Sequence, residues 1–110
     1  MSDTNPESTP ADAANRADDV VLVDVRENNE WNAGHAPGAT HIPLGELRPE
    51  AIPAHAFVLC VCRSGGRSGK ATAMLRAAGV NAANVTGGMD AWSAAGLPVV
   101  RGDGQPGTVI

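Results

Sequence analysis

Aromatic side chains are nearly missing from this chain. Phe57, Trp31 and Trp92 supply the whole 3% aromatic content, so a core has to be assembled from Val, Leu, Ile, Ala and Met. Long apolar runs are missing as well: no stretch approaches the roughly 20 residues that span a bilayer. The polar opening Met1-Ser2-Asp3-Thr4-Asn5-Pro6 has neither the basic start nor the apolar segment of a secretory signal. A cytoplasmic location without a membrane partner is therefore expected. Nor is there a basic run. At a formal net charge of −4 the chain carries no electrostatic footprint for nucleic acid or anionic lipid. Cysteine is scarce, with Cys60 and Cys62 one residue apart. A bridge across so short a loop would be strained, and a reducing cytosol opposes it. The two thiols must serve chemistry or packing.

What is present reads as one globular domain. At 110 residues, 43% hydrophobic and 18% charged, the chain can bury a single thin core. Residues 1–10 are polar without period and read as a disordered lead-in. The domain is expected over 11–100, and the Gly- and Pro-containing stretch 101–110 as a loosely held tail.

Within the domain, strands alternate with helices. Val20-Val21-Leu22-Val23-Asp24-Val25 and Phe57-Val58-Leu59-Cys60-Val61 are short runs suited to strands buried on both faces. Brief strands are expected at 40–42 and 84–86. Helical stretches are expected over 11–17, 27–33, from Ser68 to Ala78, and from Gly87-Gly88 to Ala95; Pro43 to Ala54 reads as short helical or irregular structure. In the third helix Ala71, Met74, Leu75 and Ala78 would form the apolar face. This order implies an open parallel α/β sheet flanked by helices on both faces. The tail at Thr108-Val109-Ile110 is one candidate for the sheet's first edge, because residues 1–19 show no clear strand.

Ligands in such folds gather at the carboxyl ends of the strands, and Cys62 sits at one. The loop Cys62-Arg63-Ser64-Gly65-Gly66-Arg67-Ser68 follows it. Gly65 and Gly66 let the backbone curl with its N–H groups pointing inward, and the next helix adds the positive end of its dipole. Arg63 and Arg67 add full charges. An ordinary cysteine titrates near 8.5, and such surroundings lower that value to roughly 3.5–7.5. Cys62 is thus read as a reactive thiolate. Cys60, inside the strand run, reads as core.

Here the chain resembles rhodanese-like sulfurtransferases. The Cys62 loop is similar to the family's active loop. Leu22-Val23-Asp24-Val25-Arg26, Glu30-Trp31 and Gly34-His35-Ala36-Pro37-Gly38-Ala39 resemble its "DVR…E(W/F)…GHxPGA" signature, and Val85-Thr86-Gly87-Gly88, Trp92 and Gly96-Leu97-Pro98 its third motif. The likeness runs over about residues 18–100. It implies a rhodanese-like fold, and a thiosulfate sulfurtransferase that takes a sulfane sulfur onto Cys62 as a persulfide. An acceptor thiol, a thioredoxin-like protein or cyanide then removes it. Arg63, Ser64, Gly65, Gly66, Arg67 and Ser68 would bind the small anionic donor. The cysteine itself is the covalent carrier, so no cofactor or metal is implied; a protein partner in sulfur relay is possible.

Asp24 and Arg26 flank the end of the first long strand, either supporting the loop or forming an ion pair that fixes the turn. Glu30 and His35 read similarly, His35 holding the Pro-Gly turn. Trp31 and Trp92 read as core, and His41 and His55 as surface or packing residues. Gly87 and Gly88 allow either a close backbone approach or a tight turn.

Other chemistries fit less well. Cysteine-loop phosphatases place five residues between Cys and Arg, whereas four separate Cys62 from Arg67. The shorter cradle suits a sulfur atom more than a phosphoryl group. The stretch from Gly65 to Ala71 misses the phosphate-loop pattern by one spacer and a hydroxyl. Cys60 and Cys62 lack paired zinc-ligand spacing, and a dithiol redox role requires Cys60 to leave the strand interior. A non-catalytic binding module of the same family usually lacks the cysteine that is present here.

Overall fold

The computed structural model describes residues 6–110. Along the chain lie β1 (Glu7–Ser8), α1 (Pro10–Ala14), β2 (Val20–Asp24), α2 (Asn28–Ala33) and β3 (Thr40–His41). Two single 3-10 turns follow (Leu44–Glu46, Pro49–Ala51), then β4 (Phe57–Val61), α3 (Gly66–Ala77), β5 (Asn81–Val85) and α4 (Gly88–Ala94). The strands form one sheet of order β1-β5-β4-β2-β3, with every pairing parallel. The chain leaves β2 toward β3 on one side and β4 toward β5 on the other. The order therefore reverses between β2 and β4, and the crevice at their carboxyl ends is where this architecture places a ligand.

Strand periodicity sends alternate residues to opposite faces. Val58 and Cys60 of β4 join Val23, Ala71, Leu75 and Ala82 in one core layer, together with Cys62. Leu59 and Val61 join Leu22, Val85, Met89 and Trp92 in the other. Both cysteines thus face α3. That helix buries Ser68, Ala71, Thr72 and Leu75, while Met74 is 37% exposed and Ala78 faces solvent. The expected apolar face of Ala71, Met74, Leu75 and Ala78 is therefore rotated. The stripe 68, 71, 72, 75 keeps the same helical spacing, and its small residues Ser68, Ala71 and Thr72 let the helix lie close over the thiols.

Three further differences have physical causes. β1 is a two-residue polar strand with no periodic signal, held by Asn84 N–H on Pro6 O (2.9 Å) and Thr86 N–H on Ser8 O (2.8 Å). It, and not the tail, forms that edge of the sheet; residues 1–5 of the expected lead-in lie outside the described residues. The tail packs elsewhere, with Thr108 N–H on Ala33 O and Gly107 N–H on Val99 O, both 2.9 Å. β5 spans the weakly β-forming Asn81-Ala82-Ala83-Asn84-Val85, and its pairing with β4 overrides that propensity.

Trp92 is core, its indole N–H donating to Pro98 O at 2.8 Å. Trp31 is not. It is half-buried and stacked between His35 (ring centroids 3.6 Å apart) and His41 (4.8 Å). Neither histidine ring is idle: His35 Nδ1 donates to Trp31 O at 2.9 Å and His41 Nε2 to Arg26 O at 2.8 Å. An amphipathic ring at a surface turn finds these flat partners only because the Pro37-Gly38 turn brings β3 back beside α2.

Candidate active site

Cys62 follows the central strand β4, and only 1% of it is exposed. Gly65, at φ +114°, reverses the chain so that its own N–H donates to Cys62 Sγ at 3.1 Å. The Ser68 hydroxyl lies 3.2 Å from the same sulfur. Helix α3 starts at Gly66, two residues earlier than its apolar pattern suggests, and points its N-terminus at the thiol. Burial on its own pushes the Cys62 thiol up. The Ser68 hydroxyl and the N–H groups of Ser68, Gly65 and Ser64 outweigh it and leave the thiol below its ordinary value. The donors are thus aimed at the atom that would carry the charge of a thiolate, the nucleophilic form of a cysteine.

Cys60 is the opposite case. It has no exposed surface, and burial pushes its thiol up to about 11, against a partial offset from the Thr72 hydroxyl. Both cysteines are free thiols.

The loop is held from outside by α4. Met89 N–H donates to Cys62 O at 2.8 Å and Asp90 N–H to Arg63 O at 2.9 Å. These first-turn donors would otherwise be orphaned, since α4 has no side-chain cap. The loop thus caps the helix, and the helix fixes the loop. Both readings of Gly88 apply: its φ is +61°, and a Cβ there would collide with Cys62 O and Arg63 O. Gly87, at φ +73°, makes the turn.

Asp24 and Arg26 are fully buried and paired. Arg26 Nη2 donates to Asp24 Oδ2 at 2.8 Å and to Gly34 O at 2.7 Å, and Arg26 Nε lies 3.0 Å from both carboxylate oxygens. The pair ties the end of β2 to the start of the His35 turn. It makes no hydrogen bond to the Cys62 loop among the described residues.

The two loop arginines differ. Arg63 and Asp90 are both about half exposed and 3.5 Å apart, a contact worth about 0–1 kcal/mol; the Arg63 guanidinium remains open to an anion. Arg67 is committed to Glu30, with Nη1–Oε1 at 2.7 Å and Nη2–Oε2 at 2.8 Å. This pair joins α3 to α2 across 37 residues of sequence, which is why sequence alone pointed both arginines at a ligand.

The same pair gives a pH prediction. The Arg67 hydrogen bonds hold the Glu30 carboxyl at about 2, against an ordinary 4.5, despite an opposing effect of burial. The folded state therefore binds fewer protons than the unfolded chain between those values, so the pair's stabilisation is complete above about 4.5 and is lost as pH falls toward 2. Solvent reaches Arg67, so the expected size is about 1 kcal/mol. Urea unfolding of Glu30→Gln should show that loss at neutral pH and a shallower decline from pH 5 to 2. A variant that keeps the parent's acid profile would disprove the assignment.

Asn84 is a site residue whose only motif, the glycosylation pattern Asn84-Val85-Thr86, has no bearing on the thiol. It accepts from the Ser68 hydroxyl (Oδ1, 2.6 Å) and donates to Gly65 O (Nδ2, 3.2 Å). In the sequence it is only a polar residue near the end of β5, between the buried Ala83 and Val85. No group of three or more metal-ligating side chains occurs among the described residues, and none of their helices is long and apolar enough to cross a membrane.

Residues 9–95 match the family model of the rhodanese-like domain. Protein slr1261 of Synechocystis sp. is 40% identical over 96 residues, which are 84% of this chain and 54% of that protein; the chain spans about half of that relative. A sulfurtransferase of Allochromatium vinosum is 39% identical over 90 residues, 79% of this chain and 84% of that one. The fold superposes on the crystal structure of a rhodanese-related protein from Thermoplasma volcanium with a TM-score of 0.81 at 29% identity, covering 86% of this chain and 97% of the other. The α/β architecture, the cradled Cys62 and a family model matched along most of the length agree: the chain belongs to the rhodanese-like domain family.

Proposed function

We propose that the protein is a sulfurtransferase that moves a sulfane sulfur from thiosulfate or a similar donor to a thiol or cyanide acceptor, through a persulfide on Cys62. Family membership and a sulfurtransferase-named relative support sulfur transfer in general. The observation that carries the finer reading is the Cys62 sulfur, held below its ordinary titration range beneath the Gly65 N–H and the α3 N-terminus.

In the first step the Cys62 thiolate attacks the outer sulfur of the donor. The S–S bond of thiosulfate breaks, its electron pair leaves with sulfite, and Cys62 keeps the outer sulfur as a persulfide anion. In the second step an acceptor thiolate attacks that outer sulfur and the Cys62 thiolate returns. Charge is conserved in both steps, and no electron carrier is needed.

Arg63 draws in the anionic donor, and the N–H groups of Ser64 to Ser68 receive the charge of the outer sulfur. Arg67 contributes by keeping α3 in place through Glu30. A thioredoxin-like or sulfur-relay partner is a suitable acceptor, because Cys62 lies just past the carboxyl end of the central strand, where parallel sheets of this kind take their ligands. A reducing compartment such as the cytoplasm suits this chemistry, since both cysteines must stay thiols.

The test is intact-mass measurement after incubation with thiosulfate, mercaptopyruvate or glutathione persulfide. The gain of one sulfur atom, removed again by cyanide, is expected. A protein that gains no sulfur from any of the three is not this enzyme.

A further inference from the structure

Ser68 has one hydroxyl proton and two neighbours that want it. Its oxygen lies 2.6 Å from Asn84 Oδ1 and 3.2 Å from Cys62 Sγ. An amide oxygen only accepts, and so does a thiolate. The amide is not free to turn: Nδ2 faces Gly65 O at 3.2 Å and Glu7 Oε2 at 3.4 Å. Reversing it would set Oδ1 against two acceptors. Glu7 is held in turn by the Thr86 hydroxyl, which donates to Oε1 at 2.9 Å. The two-residue strand β1 thereby locks the amide in one orientation.

When Cys62 is a thiol, both needs are met. The S–H donates to Ser68 Oγ, and the Ser68 O–H donates to Asn84 Oδ1. When Cys62 is a thiolate, the hydroxyl proton serves either the sulfur or the amide, and the other acceptor faces a lone pair across a buried contact. A persulfide moves the charge to the outer sulfur, leaving Sγ neutral, and the hydroxyl can return to Asn84.

We infer that Asn84 is a positioning residue that restrains Cys62 by competing with its thiolate for the Ser68 proton, so that Ser68 acts as a one-proton switch between an uncharged and a charged Sγ. This rests on Cys62 being the reacting thiol and deepens that reading. Ser68 and Asn84 should act in opposite directions. Ser68→Ala removes a donor from the thiolate, whereas Asn84→Leu, close in shape but without an acceptor, leaves that donor to the thiolate alone.

The experiment is iodoacetamide alkylation of Cys62 across pH in a Cys60→Ser background, with thermal melts to confirm folding. Below the Cys62 midpoint, Ser68→Ala is expected to alkylate roughly tenfold more slowly than the parent and Asn84→Leu roughly tenfold faster, the worth of one hydrogen bond to a charged group. The double variant should match Ser68→Ala, since without the hydroxyl the amide has nothing to withhold. If Asn84→Leu does not fold, Asn84→Ala removes the same acceptor. In the unsubstituted protein the Asn84 side-chain amide resonance should shift with the Cys62 titration.

Asn84 variants that alkylate at or below the parent rate would overturn the inference. So would an equal acceleration in the Ser68→Ala background, or an amide signal blind to the titration. Alkylation does not require sulfur transfer, so a protein that fails to load sulfur would sink the proposed function and leave this result standing.

Discussion

Cys62→Ser is expected to reduce sulfur loading from thiosulfate to background, whereas Cys60→Ser retains it, although only Val61 separates the two cysteines and both face the same core layer. Proximity does not separate them; surroundings do. Cys60 is enclosed beneath Thr72 and α3, where burial pushes it up to about 11. At neutral pH about one molecule in ten thousand would carry that thiolate. Cys62 passes beyond the strand into a ring of N–H groups that favours its anion. A serine at 62 fits the ring but does not ionise in the accessible pH range, so no covalent carrier remains. Intact mass reads the outcome directly. Sulfur retained by folded Cys62→Ser, or lost by folded Cys60→Ser, would assign the chemistry to the wrong thiol.

The second large effect is expected from one methyl group far from Cys62 in sequence. Gly88→Ala places a Cβ against Cys62 O and within 2.5 Å of Arg63 O, at a backbone angle of φ +61° that disfavours any side chain. Both carbonyls are already bound by α4, through Met89 and Asp90, so the loop cannot yield without losing those bonds. Overpacking of this kind typically costs about 1–3 kcal/mol, and the strained φ about 1 more. The kinetic consequence is larger. A loop displaced by about 1 Å carries its N–H groups away from the sulfur and lowers the loading rate about 100-fold. Gly45→Ala is the control, because a Cβ there meets nothing within 4 Å. Stopped-flow sulfite release and urea unfolding measure the two effects. Gly88→Ala loading sulfur at the parent rate would mean that α4 does not position the loop.

How much of this was legible beforehand depends on the range over which each feature is encoded. The β2 and β4 runs, the parallel α/β class and the Cys62 loop are local: periodicity, glycine placement and a strand end lie within a few neighbouring residues. Cys60 as a core residue follows from the same strand run. The α3 face was only half legible, because small residues carry no amphipathic signal when they are chosen for close approach. Trp31 read as core because a large ring usually is; two histidines from α2 and β3 cover its faces instead.

By itself, then, the sequence determined that a thiol would sit at the end of a central parallel strand, with glycines to turn the chain and a helix to follow. Tertiary structure alone decided how that thiol is governed. Arg67 meets Glu30 across 37 residues and is no longer a free cation, Ser68 meets Asn84 across 16, and Glu7 meets Thr86 across 79. A hydrogen bond between distant residues leaves no period or motif in the chain, since either partner alone is only a polar side chain. Folding brings both into one low-dielectric space, where each donor must be shared among the acceptors within its reach. The place of Cys62 is written in its local sequence, whereas Ser68, Asn84 and Glu7 come together around it only through folding.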